Sequence, residues 1–162
     1  PAPESLYGKS KLAGEEFVRT LCHRYLIVRS AWVYGIGRDF VSTVLNAAAD
    51  PTCPWLAVPT DRFASPTSAD DLTAAVEQLI DHDTLGIYHI VCQGRCSRYD
   101  FAQAILKAAH MEDKLELHPI RAADAGSTPS YTVLDNLMLR LDNLPQPRPW
   151  KEALNEYINS LQ

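Results

Sequence analysis

A tyrosine and a lysine four residues apart, Tyr7 and Lys11, are the residues of this chain whose types and spacing most directly suggest catalysis. The segment around them is predicted to be helical, and one helical turn places both side chains on the same face. An ordinary phenol titrates near pH ~10 and donates a proton poorly at neutral pH unless a cation stabilises its phenolate. A lysine ammonium can supply that cation, which makes the pair a candidate for proton transfer to a carbonyl. The spacing also arises by chance, and an exposed tyrosine beside a lysine usually has no function.

The residues around this pair resemble the active-site helix of extended short-chain dehydrogenases/reductases that act on nucleotide sugars. The resemblance rests on PAPESL before the tyrosine and LAGE after the lysine. It implies that Tyr7 is the general acid or base. It also implies that Lys11 stabilises the phenolate and hydrogen-bonds the nicotinamide ribose, so both residues would contact the cofactor, NADPH or NADH.

Further segments match one branch of that family in the expected order. They lie at residues 28–35, 39–41, 65–67, 71–72, 86–89, 96–102, 131–136 and 149–150. This branch is similar to dTDP-4-dehydrorhamnose reductase. The resemblance implies that the whole protein reduces the 4-keto group of a dTDP-6-deoxy-hexulose, its dTDP-sugar substrate, and so makes dTDP-L-rhamnose.

The resemblance also implies three substrate-binding residues. Trp32 stands in the family's position for contact with the sugar, although a tryptophan there could simply belong to the core. Ser30 can present a hydroxyl to the same pocket. Arg62 lies in a loop that the family uses near the nucleotide sugar, and its guanidinium suits a diphosphate. A solvated loop arginine is the alternative interpretation.

The glycine-rich turn of a dinucleotide-binding fold is missing from this sequence. Such a turn joins the first strand to the first helix and places backbone amides against the pyrophosphate. Gly35 and Gly37 follow a strand-like segment but lack the third glycine, and we interpret them as a loop. The family's catalytic Ser or Thr, which precedes the tyrosine, cannot be located either. We therefore expect the C-terminal half of a reductase, with the missing N-terminal half as its partner.

Alternating helical and strand-like patterns predict an α/β fold. By resemblance, this is the C-terminal part of an extended short-chain dehydrogenase/reductase, with an incomplete Rossmann-like parallel sheet and a small α/β substrate-binding lobe. Residues 1–36 would supply the active-site helix and a strand of the cofactor domain. Residues 37–162 would form mainly the substrate lobe, with 68–92 returning to the Rossmann sheet. The open sheet edge would be covered by the missing half or by a second copy in a homo-oligomer.

Helical periodicity places an apolar stripe of Ala13, Phe17, Val18 and Leu21 on the first helix. Four further helices are predicted to begin near Asp39, Ser68, Ser97 and Trp150. Their apolar faces include Ile80 in the second of these and Leu161 in the last. Strands are predicted at residues 26–34, 55–58, 86–91 and 115–118, the first of them a buried parallel strand. Residues 121–149 are expected to be largely irregular.

The chain has 162 residues, of which 46% are hydrophobic and 22% are charged. This length and composition are typical of a globular protein with one core. The net charge of −5 and the lack of a basic stretch argue against a nucleic-acid partner. No apolar stretch approaches the ~20 residues that span a bilayer, so no membrane association is expected. The four cysteines and five histidines lack metal-binding spacing, which favours reduced thiols in a cytoplasmic protein without a metal site.

Two other functions stay open at this point. The same branch resembles the regulatory subunit of methionine adenosyltransferase, a non-catalytic protein that serves a partner enzyme. Ala31, Ala64 and Thr128 depart from the residues usual in the reductases and support this alternative, whereas Tyr7 and Lys11 weigh against it. A reductase or epimerase for a different nucleotide sugar is the third interpretation.

Overall fold

Helices alternate with short strands in the computed structural model, which describes residues 1–125 and 130–161. These residues form six α-helices, α1 (Leu6–Leu21), α2 (Phe40–Ala49), α3 (Ala69–Asp81), α4 (Arg98–Ala108), α5 (Leu137–Leu141) and α6 (Trp150–Ser160). They also form nine strands, β1 (Leu26–Arg29), β2 (Val33–Tyr34), β3 (Trp55–Pro59), β4 (Arg62–Ala64), β5 (Thr67–Ser68), β6 (Gly86–His89), β7 (Cys96–Ser97), β8 (Glu116–Ile120) and β9 (Ser130–Tyr131). Thr128, one of the departures from the family, lies outside the described residues.

The strands pair mostly in parallel, as an α/β fold requires. β1 pairs with β6, β2 with β5 and β3 with β8, all in parallel. β4 lies between β7, to which it is antiparallel, and β9, to which it is parallel. The predicted α/β fold is therefore confirmed, with its parallel pairing divided among several small sheets.

The buried side chains form two clusters. The larger lies among α2, α4, α6 and β3, and it includes Tyr34, Val44, Val58, Phe101 and Leu154. The smaller lies among α3, β6 and α5, and its buried members are Ala75, Leu79, Tyr88, Ile90 and Leu139. α4 carries four residues of the larger cluster, so the loop that leads into α4 is anchored in that core.

The predicted helix starts are confirmed where a polar side chain caps the helix. Asp39 and Ser97 each form a capping box, in which the cap side chain accepts a backbone N–H and the third helical residue bonds back to the cap. Ser68 accepts from the N–H of Asp71 at the start of α3. α6 begins after Pro149, without a side-chain cap. Because these caps depend on hydrogen bonds between residues three apart, the starts of these helices can be predicted from the sequence.

α1 extends through the predicted apolar stripe, but the side chains of that stripe are exposed. No residue of α1 is fully buried, and Phe17 and Leu21 are 68% and 76% exposed. The half-buried residues are Gly8, Leu12 and Glu15, which share a different face of the helix. Glu15 pairs with Arg29 at the end of β1, and this contact turns the Gly8–Glu15 face toward the sheet.

Other sequence predictions are corrected at particular residues. Ile80 and Leu161, expected on apolar faces, are 64% and 54% exposed. The strand predicted at 26–34 divides into β1 and β2, because Trp32 adopts a left-handed φ of 43° between them. The stretch 121–149 contains a 3₁₀ helix at Ala122–Ala125, together with β9 and α5, and is more regular than predicted.

Candidate functional site

Tyr7 and Lys11 lie in the first turns of α1. The helix begins at Leu6 because the side chain of Ser5 accepts the backbone N–H of Gly8 at 3.0 Å. The Lys11 ammonium lies 5.8 Å from the centre of the Tyr7 ring, so the structure brings the two side chains together. Tyr7 is 72% exposed, and among the described residues neither side chain has a hydrogen-bond or carboxylate partner. Both groups are available to a ligand.

An ion pair determines where this helix lies on the sheet. Arg29 donates to Glu15 through Nε at 2.8 Å and through its terminal nitrogen at 2.5 Å. The hydrogen bonds from Arg29 hold the pKa of Glu15 below its ordinary value, and those to Glu15 raise the pKa of Arg29. Because a short connection joins α1 to β1, the two run in opposite directions. The start of α1, with Tyr7, therefore points toward the end of the sheet where the residues after β1 lie.

Two of the predicted substrate residues follow β1 at that end. The hydroxyl of Ser30 is buried, and no hydrogen-bond partner for it exists among the described residues. Trp32 is half-buried, and its carbonyl accepts the N–H of Thr67 at 3.3 Å. A left-handed φ at a bulky residue costs about 1–3 kcal/mol. Strained residues of this kind are concentrated at active sites and ligand-binding sites, so the surroundings of the Trp32 ring are of interest.

Arg98, which the sequence analysis missed, lies on the Trp32 ring. The carbon at the centre of its guanidinium is 4.0 Å from the Trp32 ring centre and 4.2 Å from that of Phe40. Phe101 stacks on Trp32 with ring centres 6.3 Å apart and planes 21° apart. Burial, and after it the charge of Arg62, lower the pKa of Arg98 to about 10.

Arg62, the third predicted substrate residue, lies on β4 next to Arg98. Its Nε donates to the hydroxyl of Ser130 at 3.4 Å, and its side chain is half-buried. We call Trp32, Phe40, Arg62 and Arg98 the guanidinium cluster. The structure thus brings two of the predicted substrate residues into one cluster through Arg98. Within the described residues, no hydrogen bond, ion pair or ring contact joins this cluster to the Tyr7–Lys11 pair.

A sizeable cavity lies apart from all of these residues. It has a volume of about 770 Å³ and opens between α4, β8 and the start of α6, where Tyr99, Gln103 and Trp150 line it. None of the predicted site residues borders it. The side chains of α4 that face this cavity lie on a different face of the helix from Arg98 and Phe101, which face the guanidinium cluster.

The four cysteines are free thiols. Among residues 1–125 and 130–161, no group of three or more histidine, cysteine, aspartate or glutamate side chains could hold a metal ion. Cys92 and Cys96 are buried, and burial raises the pKa of their thiols to about 11 and about 12. No helix in the part of the chain that the structure describes is long and apolar enough to cross a membrane.

Comparison with known proteins establishes the family. The RmlD substrate binding domain matches residues 1–162, the full length of the chain. The chain belongs to this family. Among curated relatives of the RmlD domain, the spore coat polysaccharide biosynthesis protein SpsK of Bacillus subtilis is 39% identical over 96% of the chain and 54% of its own length.

Solved structures of reductases contain the same domain. A dTDP-4-dehydrorhamnose reductase from Clostridium acetobutylicum superposes with a TM-score of 0.93 at 41% identity, over 99% of this chain and 57% of its own. The Bacillus anthracis dTDP-4-dehydrorhamnose reductase, solved in complex with NADP, gives a TM-score of 0.93 at 34% identity, over 100% of this chain and 57% of its own. The chain spans about half the length of the curated relatives it matches.

Proposed function

We propose that the whole protein containing this chain reduces the 4-keto group of a dTDP-6-deoxy-hexulose and yields dTDP-L-rhamnose. The observation that carries this proposal is the Tyr7–Lys11 pair, accessible on the first turns of α1 with the ammonium 5.8 Å from the ring. The similarity to dTDP-4-dehydrorhamnose reductases over nearly the full chain supports it. Rhamnose formed in this way would serve surface polysaccharides, as the name of the Bacillus subtilis relative suggests.

The Tyr7 hydroxyl donates its proton to the oxygen of the 4-keto group as that oxygen gains negative charge. The Lys11 ammonium lies near enough to the phenol to stabilise the phenolate that remains. Lys11 has no carboxylate partner among the described residues, which leaves its donors free for the ribose hydroxyls of NADPH or NADH. When bound, the nicotinamide cofactor supplies the hydride. Acid catalysis by a positioned side chain contributes roughly 10²–10⁴-fold in rate.

Substrate contacts are assigned to the residues beyond β1 and on β4. The unpartnered hydroxyl of Ser30 can bond a sugar hydroxyl, and Trp32 offers an apolar ring to the sugar face. Arg62 can pair with the diphosphate. We also propose that residues 1–36 belong to the cofactor domain and 37–162 mainly to the substrate lobe, with 68–92 returning to the sheet.

A cytoplasmic location and a homo-oligomer complete the proposal. The four free thiols agree with a reducing compartment, where dissolved nicotinamide cofactors are also available. The exposed apolar side chains of α1 give a second copy a surface to cover.

Substitution of Tyr7 and Lys11 in the whole protein tests the assignment. Tyr7→Phe removes the proton donor and keeps the ring, so we expect kcat to fall by about 10²–10⁴-fold with cofactor affinity little changed. Lys11→Ala should lower both kcat and cofactor affinity. Lys9→Ala is the matched control, because Lys9 is exposed on another face of the same helix and should leave the rate unchanged.

The assay follows NADPH oxidation with dTDP-4-keto-6-deoxy-L-mannose and with a panel of other nucleotide sugars. Near-wild-type rates in both Tyr7→Phe and Lys11→Ala would contradict the catalytic assignment. Turnover of another nucleotide sugar alone would identify a different substrate. A well-folded whole protein that turns over none of them would favour the regulatory alternative.

A further inference from the structure

The guanidinium cluster holds two cations that no carboxylate of residues 1–125 and 130–161 neutralises. Elsewhere in the chain, half-buried arginines are paired with acids: Arg29 with Glu15, and Arg148 with Asp71. Among the described residues, Arg62 bonds only the hydroxyl of Ser130, and Arg98 contacts aromatic rings without donating a hydrogen bond. Partly removing two like charges from water without a counter-ion opposes folding. An anion placed between them would reverse that effect.

The pairing of β4 with β7 brings the two arginines close together in the fold. In the antiparallel pair of β4 and β7, Ala64 faces Cys96 and Phe63 faces Ser97. Arg62 directly precedes Phe63 on β4, and Arg98 directly follows Ser97 as the first residue of α4, so the two arginines lie at the same end of this strand pair. The effect of Arg62 on the pKa of Arg98 agrees with this closeness.

Contact with the two rings leaves the N–H groups of Arg98 without a hydrogen-bond partner among the described residues. A guanidinium carries its N–H groups in the plane of the group, so contact of its faces with rings uses none of them. The rings of Trp32 and Phe40, at 4.0 and 4.2 Å, hold the plane of Arg98 in place. Arg62 is held in turn by Ser130. Two neighbouring guanidinium groups suit an anion such as a diphosphate, whose oxygens belong to two linked phosphorus atoms.

We propose that Arg98 and Arg62 together bind the diphosphate of the nucleotide sugar, and that Arg98 is a specificity residue that selects nucleoside diphosphates over monophosphates. This inference rests on the proposed function for the identity of the ligand. The sugar attached to the diphosphate then lies within reach of Trp32, because Arg98 contacts that ring. The resemblance offered Arg62 alone for the diphosphate, whereas the structure adds the second cation.

Calorimetric binding to the whole protein tests the pair with four probes: dTDP, dTMP, inorganic pyrophosphate and thymidine. Charge-assisted hydrogen bonds of this kind correspond to about 10- to 100-fold in affinity. We expect Arg98→Gln and Arg62→Gln each to weaken dTDP and pyrophosphate binding by about that factor, to reduce the preference for dTDP over dTMP, and to leave thymidine binding unchanged. Arg140→Gln is the matched control, because Arg140 is an exposed arginine already paired with Asp135.

NADPH binding is measured with the same variants, since the cofactor also carries a pyrophosphate. An unchanged NADPH affinity beside a weakened dTDP affinity assigns the pair to the nucleotide sugar, whereas loss of NADPH affinity alone would overturn the proposal. Wild-type dTDP affinity in Arg98→Gln would overturn it as well. An equal loss of thymidine affinity would also overturn the proposal, because it would indicate damage to the fold. The variant Arg98→Lys keeps the positive charge and should retain part of the dTDP affinity.

The outcome is separable from that of the proposed function. If the whole protein lacks reductase activity but Arg98→Gln still weakens pyrophosphate and dTDP binding, the anion site stands and the reaction is wrong. If the reductase is active and the arginine variants keep their dTDP affinity and KM, the reaction stands and the anion site is wrong.

Discussion

Replacing Glu15 with glutamine should loosen α1 from the sheet and with it the Tyr7–Lys11 pair. The Glu15 carboxylate receives two hydrogen bonds from Arg29, at 2.8 and 2.5 Å, and the two side chains are 18% and 29% exposed. The helix otherwise rests on the sheet through the half-buried Gly8 and Leu12, with no fully buried residue. The ion pair is therefore a large part of what holds α1 in place.

The magnitude follows from the geometry of the pair. Hydrogen bonds between charged groups contribute about 1.5–3 kcal/mol, and partial exposure places this pair in the middle of that range. A loss of about 2 kcal/mol corresponds to roughly a 30-fold larger population of detached helix. Because few contacts join α1 to the rest, it should open by itself rather than with the whole molecule.

Amide hydrogen exchange of α1, followed by mass spectrometry, measures this opening directly. In Glu15→Gln, exchange in α1 should become about 30-fold faster, whereas exchange in α4, which is anchored in the larger core, should not change. Glu16→Gln is the matched control, because Glu16 is the exposed neighbour on the same helix and forms no ion pair among the described residues. In the whole protein, kcat/KM should fall together with the protection of α1.

The pH dependence gives a second test. Since the pKa of folded Glu15 is below its ordinary value of 4.5, the ion pair contributes fully above about that pH and is lost as pH falls through the lowered pKa. The difference in protection between wild type and Glu15→Gln should therefore disappear in acid. Equal exchange rates in α1 of both proteins at neutral pH, or a difference that persists unchanged at pH 3, would refute this reasoning.

Two further predictions concern stability and association. Asn136 is buried and exchanges two hydrogen bonds with the backbone of Val91, at 3.0 and 2.7 Å, so Asn136→Ala should lower the free energy of unfolding in urea by at least ~2 kcal/mol, with the exposed Asn46→Ala as control. A loss under ~0.5 kcal/mol would contradict this. The 162-residue chain by itself should self-associate through α1, where Phe17 and Leu21 are exposed, and light scattering should show a smaller species for the double variant Phe17→Lys, Leu21→Lys. A wild-type chain that stays monomeric at high concentration would rule this out.

Features that depend on neighbouring residues could be predicted from the sequence. The caps at Asp39, Ser68 and Ser97 act within three residues, and the helices after them begin where predicted. The pairing of Tyr7 with Lys11 is likewise one helical turn, and the structure places them together. Their catalytic role is a proposal, because proximity alone does not establish chemistry.

Features that depend on distant residues could not be predicted. The apolar residues of α1 indicated an inward face of Phe17 and Leu21, because periodicity shows which residues share a face and not what that face meets. The face that turns inward is set by Arg29, which lies on another element and draws Glu15 toward it.

The guanidinium cluster is the clearest case of a site that arises from register. One helix and three strands separate Arg62 on β4 from Arg98 in sequence, and the pairing of β4 with β7 brings the two arginines close together. That pairing is held by buried neighbours, since Ala64 and Cys96, two residues from the arginines, are both buried. The backbone positions of the two arginines are therefore fixed by the core. Two unneutralised arginines that are already ordered bind an anion more tightly than flexible surface arginines do, because they lose less conformational entropy on binding.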